Sequence, residues 1–153
     1  MSEKPPKQIE PNVKELKLRL IKATEPIRRE RRTLITTKDI PIQTSTILTN
    51  TSSEEIFVIF TEEMRRYKTV ISGNAADKIY AKIEQLADGL ADTLPGNDSG
   101  VKFVVESMNY IETHNPSLGE EVNWQMDAAW KRKSEREIKR EDFYRKWIKN
   151  QRS

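Results

Sequence analysis

The chain has 153 residues, of which 35% are hydrophobic and 33% are charged. One domain is expected at this length, and because globular domains average about 45–50% apolar residues with glycine included, the core should be small and the polar appendages long. The absence of cysteine excludes disulfides, thiolate metal sites and cysteine nucleophiles, and a single histidine, His114, excludes a zinc site of several histidines. Five glycines leave no glycine-rich phosphate loop, so we expect no cofactor and no enzymatic activity.

Two further classes are excluded by hydropathy. No stretch approaches the roughly 18 apolar residues of a membrane-spanning helix. Residues 1–11 lack the apolar region of a signal peptide and contain three prolines, which predicts a disordered or extended tail.

Positive charge is concentrated in two flanking segments around an acidic middle. Residues 12–38 contain nine Lys/Arg and three Glu, a net charge of +6, and residues 128–153 contain ten Lys/Arg and four acids, again +6. Residues 53–127 contain six Lys/Arg and fourteen Asp/Glu, a net charge of −8. Such basic flanks are suited to binding a polyanion or the acidic central segments of neighbouring copies. They are also typical of solvated helix faces.

Residues 12–33 are predicted to form a basic helical segment with a kink. Asn12 is a suitable N-cap, and apolar residues follow at helical spacing up to residue 27. Pro26 cannot lie inside an unbroken helix but can begin one, so we expect a helix over 12–24, a break at Glu25–Pro26 and a second helix to about residue 33.

Residues 34–52 are predicted to form an extended arm. This threonine- and isoleucine-rich segment is dominated by β-branched residues, which disfavour a helix, and Pro41 disfavours a central strand. A long neutral arm needs a surface to cover it, and we expect that surface to belong to another subunit.

Residues 53–130 carry four amphipathic patterns, which predict a small antiparallel four-helix bundle. The helices are expected over about 53–71, 74–94, 100–113 and 117–130. Ser52 and Ser117 begin capping boxes, and Gly73 is a candidate C-cap for the first helix. The side chains predicted to form the buried core are Phe60, Ile83, Leu86, Val105, Met108 and Val122.

Residues 131–153 are predicted to form a basic C-terminal helix that continues the fourth helix of the bundle. Phe143, Tyr144 and Trp147 lie among its bases, a composition that suits either a helix docking on a protein or stacking on single-stranded nucleic acid. Of the two earlier tryptophans, Trp124 and Trp130, we expect one in the core and one at a surface contact. The predicted fold is therefore all-α: a small four-helix bundle with a basic kinked N-terminal segment, an extended arm and a charged C-terminal helix.

Two possible chemical sites are weak. His114 lies at a predicted helix end, where it would interact with the helix dipole. The carboxylates of Asp88, Asp92, Glu120 and Glu121 are typical of a solvated helix face, because no accompanying motif fixes a pair as metal ligands.

The basic N-terminal cluster is the strongest functional signal. Arginine stays charged and matches phosphate geometry, and no base-reading motif accompanies the cluster, so the expected contact is with duplex phosphates independently of sequence. The alternative interpretation is a basic helix on a membrane surface or a helix that resembles a target peptide. The predicted nucleic-acid-binding residues are Lys14, Lys17, Arg19, Lys22, Arg28, Arg29, Arg31, Arg32 and Lys38.

The order of a basic kinked helical segment, a Thr/Ile-rich arm and a small bundle over residues 12–130 resembles the major capsid proteins of filamentous and rod-shaped archaeal double-stranded DNA viruses. The string STILTNT at residues 45–51 is similar to part of that family's arm, and the break between Tyr110 and Asn115–Pro116 also looks like theirs. The charged segment 131–153 has no counterpart there.

The resemblance implies a capsid subunit that forms a helical filament and packages double-stranded DNA, held in A-form by N-terminal helices that wrap around it. It implies as partners further copies of the chain or a paralogous capsid protein, with a lipid envelope in the enveloped filamentous members. The implied location is the virion, and the host cytoplasm during assembly. The alternative is a helical adaptor or regulatory protein whose basic ends dock onto acidic partners; an enzyme with an unrecognised site is a third class.

Overall fold

A computed structural model describes residues 12–27, 51–70 and 73–151. Within these ranges the chain forms five helices: α1 (Val13–Thr24), α2 (Ser53–Lys68), α3 (Gly73–Thr93), α4 (Asp98–His114) and α5 (Pro116–Gln151). The predicted all-α helical bundle is confirmed. The second half of the predicted kinked segment and nearly all of the arm lie outside the described residues.

Polar side chains begin four of the five described helices in the way that capping chemistry requires, by accepting hydrogen bonds from backbone N–H groups that lack a partner in the first turn; one of them, Asn115 at the start of α5, also contacts α1. The Oδ1 atom of Asn12 accepts from the N–H of Glu15, and Oγ of Ser52 accepts from the N–H of Glu55. Both caps were predicted. Asn97 caps α4 in the same way by accepting from the N–H of Gly100 at 3.1 Å.

The end of α2 was predicted too late. The helix ends at Lys68, and Gly73 is not its C-cap but the first residue of α3. The Oγ1 atom of Thr69 donates to the carbonyl of Arg66 at 2.8 Å, and the N–H of Thr69 also bonds to that carbonyl, three residues back. Threonine competes in this way with the regular helical hydrogen bonds, which ends the helix without a glycine.

The directions of the helices follow from the side chains that join them. Arg132 pairs with Asp88, and one turn later Arg136 pairs with Asp92. Because the residue numbers rise together in both helices, α5 runs parallel to α3. The helix between them in sequence, α4, runs in the opposite direction. Short connections make α2 antiparallel to α3 and α3 antiparallel to α4. The four helices α2 to α5 therefore alternate in direction, as expected for an antiparallel bundle.

The core extends beyond the four predicted helices because α1 belongs to it. Leu16 and Leu20 are buried in the same cluster as Phe60, Ile83 and Leu86. Placing the core at residues 53–130 was therefore too narrow. The apolar stripe of α1 needed a surface to cover it, and α2 and α4 supply that surface within the same chain.

One predicted core residue is wrong. Val105 is 52% exposed, whereas Phe60, Ile83, Leu86, Met108 and Val122 are buried as predicted. The buried face of α4 instead runs through Gly100, Phe103, Val104, Ser107, Met108 and Ile111. This face includes a glycine and a serine. A search for large apolar side chains therefore did not identify which side of α4 is buried.

The two earlier tryptophans depart from expectation as well. Trp124 and Trp130 are both exposed, so neither lies in the core. The ammonium group of Lys133 lies 5.1 Å from the centroid of the Trp130 ring, a favourable cation–π arrangement at the surface.

The longest helix, α5, confirms that the C-terminal segment continues the fourth helix of the bundle without a break. Its 36 residues correspond to about 54 Å, compared with about 32 Å for the 21 residues of α3. The side chains from Ser134 to Trp147 are all exposed. The C-terminal part of α5 therefore projects past the end of the bundle.

Candidate nucleic-acid interface

The outer face of α1 carries the predicted lysines. Lys14, Lys17 and Lys22 are exposed, while Leu16, Leu20 and Ala23 on the opposite side are buried against the bundle. Leu16 and Leu20 are four residues apart and share one helix face, so the same periodicity that anchors α1 directs its lysines to solvent. These three ammonium groups are accessible to a polyanion.

Arg19 does not belong to that exposed set. Its guanidinium is half-buried between α1 and α2 and binds the carboxylate of Glu62 through two nitrogens, with Glu55 at 3.8 Å. The hydrogen bond that Arg19 donates to the carboxylate of Glu62 raises the pKa of Arg19 above its ordinary value, although burial opposes the shift. Arg19 therefore fastens α1 to the bundle, and its charge is already neutralised.

The arginine cluster begins immediately beyond the described end of α1. Arg28, Arg29, Arg31, Arg32 and Lys38 lie outside the described residues, so their positions are not assigned. Ile27, the last described residue before them, lines an open groove of about 600 Å³ at the end of the bundle where α1 and α2 end and α5 begins. The described part of the N-terminal segment therefore ends at this end of the bundle.

Two further bases line the same groove and were missed by sequence reasoning. Arg65 donates to the backbone carbonyls of Ala23 and Glu25 and so holds the C-terminal end of α1, where cations are favoured by the helix dipole. Lys68 forms an ion pair with Glu121 at 3.1 Å. Both lie in the segment with a net charge of −8, and this segmental charge concealed their proximity to the C-terminal end of α1.

The same end of the bundle is held together by Asn115. Its Nδ2 atom donates to the carbonyl of Thr24 at 3.2 Å, and its Oδ1 atom accepts from the N–H of Leu118. One side chain thus satisfies an end of α1 and caps α5, so the cap of this helix is Asn115 and not Ser117 as predicted. This contact keeps the C-terminal end of α1 in a fixed relation to the bundle.

Three of the four acidic residues considered as a metal site are paired with bases, and the fourth, Glu120, is exposed. Asp88 accepts from Arg132 at 2.9 Å, Asp92 pairs with Arg136 at 3.4 Å, and Glu121 pairs with Lys68. Within residues 12–27, 51–70 and 73–151, no cluster of three or more His, Asp or Glu side chains could hold a metal ion. The three paired carboxylates stabilise helix contacts.

His114 lies in the last turn of α4, as predicted, and stacks on Tyr110 with ring centroids 3.9 Å apart. Its Nδ1 atom lies 2.9 Å from the carbonyl oxygen of Tyr110, so the ring packs on the last turn of α4.

None of the described helices is long and apolar enough to cross a membrane.

No protein-family model, no curated protein and no solved structure matches the chain. The function is therefore inferred from the exposed bases of α1, the arginines that follow it in sequence and the helix that projects from the opposite end.

Proposed function

We propose that the chain is a structural capsid or nucleoprotein subunit that self-assembles into a helical filament and packages double-stranded DNA through sequence-independent phosphate contacts. The observation that carries the proposal is the outward orientation of Lys14, Lys17 and Lys22 on a helix that leads directly into Arg28–Arg32. Arg19 has a structural role because it is half-buried and paired with Glu62, and Lys38 stays a predicted phosphate contact.

Electrostatics favours contact through this flank. Residues 53–127 have a net charge of −8 and repel DNA, so the attraction has to come from the basic flanks. Between Pro26 and Arg32 there are four arginines and one glutamate. Lysine and arginine beside phosphates release condensed counterions, which gives affinity without reading bases.

Anchoring of α1 supports a packaging role. Leu16 and Leu20 are buried in the bundle core, and Arg19 is fastened to Glu62, so a force exerted on α1 is transmitted to the whole bundle. A subunit that positions DNA in a regular filament needs its DNA-binding helix attached to the bundle in this way. The resemblance to archaeal filamentous and rod-shaped virus capsids implies that the chain is located in the virion, that the DNA is in the A-form and that copies of the chain or a paralogue are its neighbours. It also implies a lipid envelope if the virion is of the enveloped filamentous kind.

The test measures the salt dependence of duplex DNA binding for the full chain. Replacing Arg28, Arg29, Arg31 and Arg32 by Gln should flatten the slope of log Kobs against log[salt] by roughly three to four units if each arginine meets a phosphate. A second variant, with Lys14, Lys17 and Lys22 changed to Gln, should flatten it by up to roughly three units for the same reason. Fluorescence anisotropy at several salt concentrations gives the slopes.

A matched control separates charge from structure. Arg19→Gln also removes one base from α1 but should leave the slope unchanged, because Arg19 is paired with Glu62. Thermal unfolding of the quadruple and triple variants should stay close to that of the parent. If both variants bind DNA with the parental slope, the proposed packaging function is wrong.

The adaptor alternative is supported by exposed aromatic side chains on the projecting part of α5, since such residues are typical of protein docking sites. Electron microscopy with sedimentation of the purified chain plus DNA distinguishes the two. A packaging subunit forms filaments that contain DNA. An adaptor stays small and binds acidic proteins, and protease cuts its own residues 1–50 quickly.

A further inference from the structure

The side of α1 farthest from the bundle carries an apolar residue. Leu16 and Leu20 are buried, and Leu18 lies two residues from each of them. Because two residues turn an α-helix by about 200°, Leu18 projects from the side opposite to both. It is 69% exposed, compared with 43% for Val13 and 41% for Ile21. The surface proposed to meet DNA therefore has a leucine at its centre.

Lysines lie one helical turn to either side of this leucine. Lys14, Leu18 and Lys22 follow one another at steps of four residues, and all three are exposed. They form one row along α1, here termed the crest. Eight residues of α-helix rise about 12 Å, so this distance separates the two lysines, with Leu18 midway between them. Lys17 and Ile21 lie beside the crest and line a shallow groove between α1 and α4.

The nearby acidic side chains lie outside the crest. Glu15 is one turn before Arg19, which binds Glu62, so Glu15 lies on the side of α1 that faces α2. Glu25 is the C-cap, after the last residue of the helix. Glu106 belongs to α4 and lines the shallow groove beside the crest. The crest itself therefore presents two positive charges and one apolar side chain.

We propose that α1 crosses the wide groove of duplex DNA, with Leu18 over the groove and with Lys14 and Lys22 on the phosphate rows at its two edges. The inference rests on the proposed function and adds the orientation of α1 and an uncharged contact. A leucine placed against a phosphate would strip water from a charge and return nothing. Binding through both lysines therefore requires a gap between phosphates at Leu18.

The dimensions of the duplex agree with this placement. The wide groove of B-form DNA is about 12 Å across, similar to the rise between the two lysines, whereas the narrow groove is about 6 Å across. In an A-form duplex the wide, shallow groove is the minor groove. In either form the helix rests on two phosphate rows, and the leucine between them contacts uncharged sugar and base edges.

Duplex DNA fits the crest better than a lipid surface does. A helix that lies on a membrane buries a broad apolar face, and the broad apolar face of α1, with Leu16, Leu20 and Ala23, is already buried in the bundle. Only a narrow apolar strip remains outside. The four arginines within residues 28–32 continue the positive charge beyond α1, which favours a partner with phosphates in a continuous row.

The test separates the uncharged contact from the charged ones. Leu18→Ala in the full chain should weaken binding to a mixed-sequence DNA duplex by about five- to thirtyfold, because it removes most of the apolar surface covered on binding. The slope of log Kobs against log[salt] should stay parental, since no charge is lost. Lys14→Gln with Lys22→Gln should instead flatten the slope by up to roughly two units. Fluorescence anisotropy gives both quantities.

Two further variants serve as controls. Leu18→Met retains an apolar side chain of similar size and should bind DNA nearly as well as the parent. Val105→Ala shortens an exposed apolar side chain on α4, away from the crest, and should bind DNA like the parent. Thermal unfolding of all these variants should match that of the parent, because the altered side chains are exposed.

The outcomes distinguish this inference from the proposed function. If Leu18→Ala binds duplex DNA like the parent while the lysine and arginine variants flatten the slope, the crossing is overturned and the proposed function stands. If the lysine and arginine variants also keep the parental slope, both fail. Suppose instead that Leu18→Ala binds DNA normally but loses flotation with phosphatidylserine vesicles, or self-association in sedimentation. The crest then belongs to a membrane or to a second copy, and the inference is wrong.

Discussion

Replacing Leu86 by Ala is expected to lower the free energy of unfolding by about 2–5 kcal/mol, enough to leave much of a small bundle unfolded at room temperature. Leu86 is fully buried in the middle of α3, in the same cluster as Phe60, Ile79 and Val122. Truncation removes apolar contacts and leaves a cavity that the surrounding helices fill incompletely. Urea denaturation followed by circular dichroism measures the change.

Val105→Ala provides the matched control for Leu86. Val105 lies on α4 and is 52% exposed, so its truncation should change the free energy of unfolding by less than about 0.5 kcal/mol. An unaltered midpoint for Leu86→Ala, or an equally large loss for both variants, would contradict the assignment of buried faces.

Replacing Lys82 by Ala is expected to cost about 3 kcal/mol or more, because it leaves a buried carboxylate without its main partner. The ammonium group of Lys82 lies 3.1 Å from Oε1 of Glu63, and the two residues are 6% and 7% exposed. The other oxygen of Glu63, Oε2, is buried without a hydrogen bond, and Arg66 lies 3.7 Å from Oε1. Removing Lys82 therefore leaves the charge of Glu63 poorly solvated.

A double replacement separates the cost of an orphaned charge from the value of the pair. Lys82→Met with Glu63→Leu removes both charges and retains apolar volume, so most of the lost stability should return, as is usual when both partners of a buried ion pair are replaced. Thermal unfolding of the two single variants and the double variant forms the cycle. A double variant less stable than the single variant Lys82→Met would mean that the ion pair itself stabilises the contact between α2 and α3.

Local patterns predicted the start of α2 because Ser52 and the spacing of Ile56, Phe60 and Met64 depend on residues close in sequence. The burial of Phe57 and Val58 could not be predicted in this way. Both are fully buried because helices α1, α3, α4 and α5 all contact α2, so more than one face of this helix is enclosed. How many neighbours a helix has is a tertiary property that one amphipathic stripe does not encode.

In the candidate site too, some features follow from the local sequence and others depend on tertiary contacts. The outward orientation of Lys14, Lys17 and Lys22 follows from the apolar stripe of α1 and could be predicted from sequence. The neutralisation of Arg19 by Glu62, 43 residues away, could not, since it requires knowledge of which helix packs on α1. Lys82 and Glu63 illustrate the same limit, because long charged side chains are rarely buried and nothing local marks these two as exceptions.

The parallel arrangement of α1 and α2 has a consequence for the order in which the molecule folds. Arg19 binds Glu62 while Arg65 binds the end of α1, so the two helices run in the same direction. The 28 residues between Thr24 and Ser53 have to be closed into a loop before α1 can dock, whereas α2 to α5 follow one another through short connections. Loop closure of this length opposes early docking, so α1 should join last and open first, as a separate cooperative unit. Its amides should then exchange with deuterium faster than those of α3, and DNA bound to the lysines of α1 should slow that exchange.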